Sequence, residues 1–101
     1  MNNSVYKILT ESQWNEFASV GSFAGSPADI RDGFIHLSAA QQVDGVVSRY
    51  YADQRPLYIV EFSAEVFGDC LRWELASNGE KFPHVYGRAL LFAQVKAYLL
   101  K

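Results

Sequence analysis

Both histidines of this chain sit inside apolar stretches, His36 in Phe34-Ile35-His36-Leu37 and His84 in Phe82-Pro83-His84-Val85. An imidazole among apolar neighbours needs a partner at one or both ring nitrogens, and near neutral pH it can hold a hydroxyl, bind an anion or move a proton. Three short segments carry polar residues where a core pattern would prefer apolar ones: His36 with Ser38, Arg72 with Glu74, and His84 with Tyr86. Successive side chains of a strand alternate between faces, so each pair shares one face, and a strand holds such groups in place. Glu74 is the carboxylate of the set and the natural partner of a buried imidazole. The pattern leads us to expect His36, Glu74, His84 and Tyr86 around one concave site, with Ser38 beside His36.

Other chemistries are less well served. His36, Glu74, His84 and Cys70 could supply metal ligands, but none has short ligand spacing, so no metal site is assigned. Cys70 is the single cysteine, which excludes a disulfide framework and a paired-thiol site, and nothing around it suggests an activated nucleophile. The glycines are scattered and form neither a dinucleotide-binding nor a phosphate-loop spacing. Trp73 and Phe34 read as core aromatics, and Arg72 as a solvated partner of Glu74.

Those residues need elements to position them. Val5 to Leu9 reads as a strand, and Thr10 with Gln13 forms a capping box that starts a helix ending at Gly21. Gly21 to Asp29 has loop composition, and Asp32-Gly33 is a turn before the strand carrying Phe34, His36 and Ser38. Ser38 with Gln41 repeats the capping-box spacing, and Val43, Val46, Val47, Tyr50 and Tyr51 recur at helical period, predicting a second helix near residues 38–52. The nearly unbroken apolar run Leu57 to Phe62 reads as a central strand buried on both faces. Residues 63–68 read as a helical turn or loop. Leu71 to Leu75 alternates cleanly, with Leu71, Trp73 and Leu75 on one face and Arg72 and Glu74 on the other. Lys81 to Gly87 is an edge or bent strand because it contains Pro83, and residues 88–100 read as a helical turn followed by a strand.

Two helices early and strands crowded into the second half suit an α+β domain with a mainly antiparallel sheet. A chain of 101 residues has room for one hydrophobic core, so residues 1–101 are read as a single domain. The formal net charge is -2 with no run of Lys or Arg, which disfavours a nucleic-acid partner or an anionic membrane surface. No segment has the form of a secretion signal or a membrane span, and the expected location is the cytoplasm. The sequence sets no oligomeric state.

The segments Tyr6-Lys7-Ile8, Asp32-Gly33-Phe34-Ile35-His36-Leu37-Ser38, Trp73-Glu74 and Phe82-Pro83-His84-Val85-Tyr86-Gly87 together resemble the bacterial family catalogued as domain of unknown function 952. The resemblance spans essentially the whole chain. It implies an ADP-ribosyltransferase-like fold, a split and strongly curved sheet with two main helices whose cleft holds NAD in active relatives of the wider superfamily. Those relatives use a His or Arg, a Tyr or His and often a Glu on three core strands, and the order of His36, Glu74, His84 and Tyr86 differs from their usual His, Tyr, Glu order. The implied chemistry is ADP-ribosyl transfer or cleavage of the nicotinamide glycosidic bond, with NAD as substrate and no further cofactor. Glu74 would stabilise the oxocarbenium-like state and His36 would act with it, while His36, Ser38, His84 and Tyr86 would hold the nucleotide. The alternative is a non-catalytic module that uses the same cleft for a small metabolite or a peptide.

Overall fold

Thr10 ends the first strand and starts the first helix. In the computed structural model, which describes residues 3–101, the Thr10 hydroxyl accepts from the Gln13 N–H at 3.2 Å while the Gln13 side chain accepts from the Thr10 N–H at 2.9 Å. Strand β1 (Ser4–Thr10) therefore runs directly into helix α1 (Glu11–Val20), which Gly21 terminates with φ 92° as its N–H reaches the Phe17 carbonyl. A residue with a Cβ is strained at that φ, and glycine is not.

The central strand β4 (Leu57–Ser63) pairs antiparallel with β1 on one side and with β8 (Val95–Leu100) on the other. Leu57, Ile59, Val60 and Phe62 are buried, while Tyr58 and Glu61 are half-buried, so the expectation of burial on both faces holds for the apolar positions. On one face of the β1–β4 pair, Ile8, Leu57 and Ile59 pack with Val43 and Val47 of helix α3 (Val43–Tyr50). On the other, Leu9, Val60 and Phe62 pack with Phe17 of α1 and with Val85 of strand β6 (Lys81–Val85). The core thus joins this sheet to a second one.

That second sheet has the order β3 (Ile35–His36), β6, β5 (Leu71–Leu75), all antiparallel, and a two-stranded ribbon of β2 (Ser22–Phe23) and β7 (Leu90–Leu91) completes the strands. The chain is α+β with separate antiparallel sheets. Two 3₁₀ segments, Ala64–Cys70 and Phe92–Gln94, occupy the stretches expected to be a turn or loop and a helical turn before the last strand. No helix among the described residues is long and apolar enough to cross a membrane.

Three expectations are corrected. The stretch 21–29 is not a plain loop: it contributes β2 and opens helix α2 (Pro27–Asp32), so the helices exceed the two main ones expected. Ser26 caps α2, Pro27 takes the first turn where a missing N–H costs nothing, and Asp29 closes the box by accepting from the Ser26 N–H. Next, the Ser38–Gln41 box does not form. Ser38 is bridged instead to Tyr6 by two backbone hydrogen bonds of 2.8 Å, and the chain turns one residue later, where the Gln42 side chain accepts from the Ala39 N–H. A 3₁₀ turn (Ala40–Gln42) then leads into α3, which is shorter than the 38–52 expected. Finally, Trp73 and Leu75 are 47% and 69% exposed: they share a face with Leu71 and with the core residue Val85, but β5 is an edge strand and of the three only Leu71 packs against the core. Alternation identified their shared face but not what covers it.

Candidate functional site

Register brings the two histidines together. On β3 and β6, His36 is directly opposite His84 and Ile35 opposite Val85; on β6 and β5, Arg72 is directly opposite His84 and Glu74 opposite Phe82. Directly paired residues of a sheet share a face, so His36, His84, Arg72 and Glu74 stand on one side while Ile35 and Val85 enter the core on the other. The two imidazole rings lie 5.4 Å apart at 70°. Phe34, read from sequence as a core residue, is instead a wall of this site. Its ring stacks on His84 at 4.1 Å, with His36 at 4.6 Å and Tyr86 at 5.2 Å.

Each histidine is held by a carboxylate through Nδ1. Glu74 Oε1 lies 2.7 Å from His84 Nδ1 and accepts from the Tyr86 hydroxyl at 2.6 Å. The hydrogen bond from Tyr86, then that from His84, holds the Glu74 carboxyl below its ordinary range; the same contact raises the Tyr86 phenol. Arg72 is not merely a solvated partner of Glu74, since its guanidinium lies over the Tyr86 ring at 5.4 Å. Asp29 Oδ1 lies 2.7 Å from His36 Nδ1, and Asp32 Oδ2 stands 3.1 Å from His36 Nε2. Asp32 is in turn gripped by the Arg31 guanidinium, which, first by its hydrogen bonds, lowers the Asp32 carboxyl.

Asp29 is the hub of the network. It is 2% exposed and accepts from the His36 N–H, the Ser26 N–H and the Lys7 ammonium, the last at 2.8 Å. Lys7 is 4% exposed and also donates to the His36 carbonyl at 2.9 Å. Burial alone would raise the Asp29 carboxyl, but the hydrogen bond to His36, the charge of Lys7 and the further hydrogen bonds outweigh it and hold the group well below the ordinary carboxylate range. Burial lowers the Lys7 ammonium, opposed by Asp29. Gly25 makes room for this hub: at φ +135°, a Cβ there would stand 2.8 Å from Asp29 Cβ.

A cleft of about 1040 Å³ opens over the network. Phe34, His36, Ser38 and His84 line one wall, and Arg49, Tyr50 and Tyr51 at the end of α3 and just after it line another. Glu74 and Tyr86 are not among the lining residues; they stand behind His84 and reach the cleft through it. Three cationic side chains, Lys7, Arg31 and Arg49, face two carboxylates, Asp29 and Asp32, along the lining. Arg49 has no carboxylate partner among the described residues. With neighbouring carboxylates already bound to His36 and His84, no group of three His, Cys, Asp or Glu side chains among the described residues is arranged to hold a metal ion.

Sequence reasoning missed Lys7, Asp29, Asp32 and Arg49. The signal for Asp29 was present in Ser26-Pro27-Ala28-Asp29, a capping box with proline in the first turn. Lys7 carried a fainter one, a charge inside an otherwise apolar strand.

The chain is similar to known proteins. A family model described as a protein of unknown function, DUF952, matches residues 8–98. The crystal structure of protein CC0527 from Caulobacter crescentus superposes with a TM-score of 0.90 at 37% identity, covering 96% of this chain and 84% of that one. Its solution NMR structure gives a TM-score of 0.85 at the same 37% identity, covering 96% and 83%. No curated protein matches the chain.

Proposed function

The chain belongs to the DUF952 family, and from the geometry of its cleft we propose that it binds a nucleotide, NAD or a close relative, between the two carboxylate-anchored histidines and the aromatic wall of α3. The finer reading is an ADP-ribosyltransferase-like domain that transfers ADP-ribose or cleaves the nicotinamide glycosidic bond. One observation carries the binding reading: His36 and His84 are each fixed through Nδ1 to a carboxylate and both line a cleft large enough for a dinucleotide, where His84 can turn its Nε2 edge to a ligand while Asp32 stands at that of His36. Phe34, Tyr50 and Tyr51 offer stacking faces for rings, and Arg31 and Arg49 offer charge for a pyrophosphate. Ser38 and the histidines can hydrogen-bond ribose hydroxyls. Tyr86 supports the site indirectly, by fixing Glu74.

Glu74 is the carboxylate that would favour the oxocarbenium state, with His84 between it and the ligand. That interposition also favours the second reading, a binding module without chemistry for a small metabolite or peptide. Thermal denaturation with NAD, ADP-ribose and nicotinamide, alongside an assay of NAD consumption, separates the two. A ligand present at about one hundred times its dissociation constant stabilises the fold by roughly 2.7 kcal/mol, which a melting curve resolves readily. Stabilisation with consumption supports the enzyme; stabilisation without it supports the module; no response to any of the three removes the nucleotide reading.

A further inference from the structure

The two carboxylates on the His36 ring are not equivalent. Asp29, at Nδ1, is 2% exposed and is fixed by the Lys7 ammonium and by the N–H groups of Ser26 and His36, so it stays with the fold. Asp32, 3.1 Å from Nε2, is 32% exposed on the cleft lining. Arg31 holds it with two hydrogen bonds of 2.9 and 3.2 Å from a guanidinium that is itself 72% exposed. Exposed ion pairs of this kind contribute little to stability, because water and salt compete with them. Asp32 is the last residue of α2, and Asp29 pins that helix, so turning the Asp32 side chain away requires no movement of the backbone. The cleft wall thus carries one permanent carboxylate and one releasable carboxylate on the same imidazole.

We propose that Arg31 and the Nε2 edge of His36 form a subsite for an anionic group of the ligand, a phosphate or a carboxylate, which Asp32 fills until the ligand displaces it. A guanidinium receives carboxylate and phosphate oxygens with the same two-pronged geometry. Whatever His36 Nε2 offers to Asp32 it offers equally to a ligand oxygen, so the exchange leaves neither Arg31 nor His36 without a partner. Arg49, on the same lining and without a carboxylate partner among the described residues, adds attraction that Asp32 does not consume. Asp32 then sets specificity. A neutral ligand has nothing to put in its place, and an anion must compete with it. A latch closed in about nine molecules of ten lowers the apparent affinity about tenfold. The subsite rests on the cleft being the ligand site, but it is defined by charge and does not require NAD.

Calorimetric titration of inorganic pyrophosphate and of malonate into wild type, Asp32→Ala and Asp53→Ala tests the subsite. Asp53 is exposed and outside the cleft lining, so its variant measures what removing one negative charge does in general. Asp32→Ala is expected to tighten at least one of the two anions about tenfold more than Asp53→Ala does, and the anion that gains identifies the group as phosphate or carboxylate. Adding Arg31→Gln to Asp32→Ala should cancel the gain. In wild type, that anion should shift the NMR signals of the Asp32 carboxyl and His36 Nε2 with a common midpoint. Should Asp32→Ala fail to melt cooperatively, Asp32→Asn, which keeps the shape, takes its place. Equal effects of the two single variants, weaker anion binding by Asp32→Ala, or a gain that survives Arg31→Gln overturns the proposal. NAD titrated into the same proteins separates the subsite from the nucleotide reading. An anion gain without NAD binding keeps the subsite and removes NAD. NAD binding of equal strength in wild type and Asp32→Ala, without an anion gain, keeps the nucleotide and removes the subsite.

Discussion

His36 and His84 are directly opposite each other across two antiparallel strands, yet each is tied by its Nδ1 to a carboxylate on a different element, Asp29 on α2 and Glu74 on β5. The site is therefore braced from both sides of the small sheet. Its rigidity depends on residues that no ligand in the cleft need touch, which makes the bracing groups accessible to separate tests.

Removing the Asp29 carboxylate should be among the most damaging single changes. Asp29→Ala leaves the Lys7 ammonium buried without its partner and frees the His36 ring, and breaking a buried pair in this way costs roughly 3–5 kcal/mol. Urea unfolding of wild type and variant measures it. A cost below about 1 kcal/mol would mean that water replaces the carboxylate.

The same group gives the pH dependence a sign. A carboxyl whose pKa is lowered by folding stabilises the native state above its unfolded value, near 3.9, and that contribution is lost as pH falls towards the folded value. Unfolding free energy should therefore fall as pH is lowered from about 5 towards 2, and Asp29→Asn should flatten that slope. An unchanged slope in the variant would place the acid sensitivity elsewhere.

Gly25→Ala should disturb the site from outside it. The added Cβ stands 2.8 Å from Asp29 Cβ on a backbone at φ +135°, so both strain and collision oppose it. A loss of about 1–3 kcal/mol is expected, with an altered His36 ring environment by NMR. An unmoved His36 signal would show that α2 absorbs the methyl group.

Tyr86→Phe keeps the ring and removes the hydroxyl that is the chief cause of the lowered Glu74 carboxyl. Titration of Glu74 by carbon-detected NMR should then show its pKa rising towards the ordinary range. No change would assign the lowering to His84 instead.

How far these relationships were legible in the sequence differs from residue to residue. Period-two alternation placed His36 with Ser38 and Arg72 with Glu74 on common faces, because the pleat leaves no other choice within a strand. That Glu74 would hold a buried imidazole followed from chemistry, but only the strand register shows that it holds His84 while Asp29 holds His36. Asp29 was not legible as a site residue, because the glycines and serines of 21–29 outweighed a four-residue capping signal. Phe34 and Trp73 were both read as core, and neither is: Phe34 stacks on His84, and Trp73 lies on an edge strand beyond the part of its face that the core covers at Leu71. Alternation says which residues share a face, whereas burial depends on the layer that packs against it, and that is set by distant parts of the chain.

The central claim is that a nucleotide sits against the paired histidines, and calorimetric titration of NAD into wild type and His84→Gln tests it most directly. Saturable one-site binding by wild type is predicted, weakened at least about tenfold in the variant, a difference of some 1.4 kcal/mol. Absence of binding by folded wild-type protein at millimolar NAD, or equal affinity in the two proteins, would contradict it.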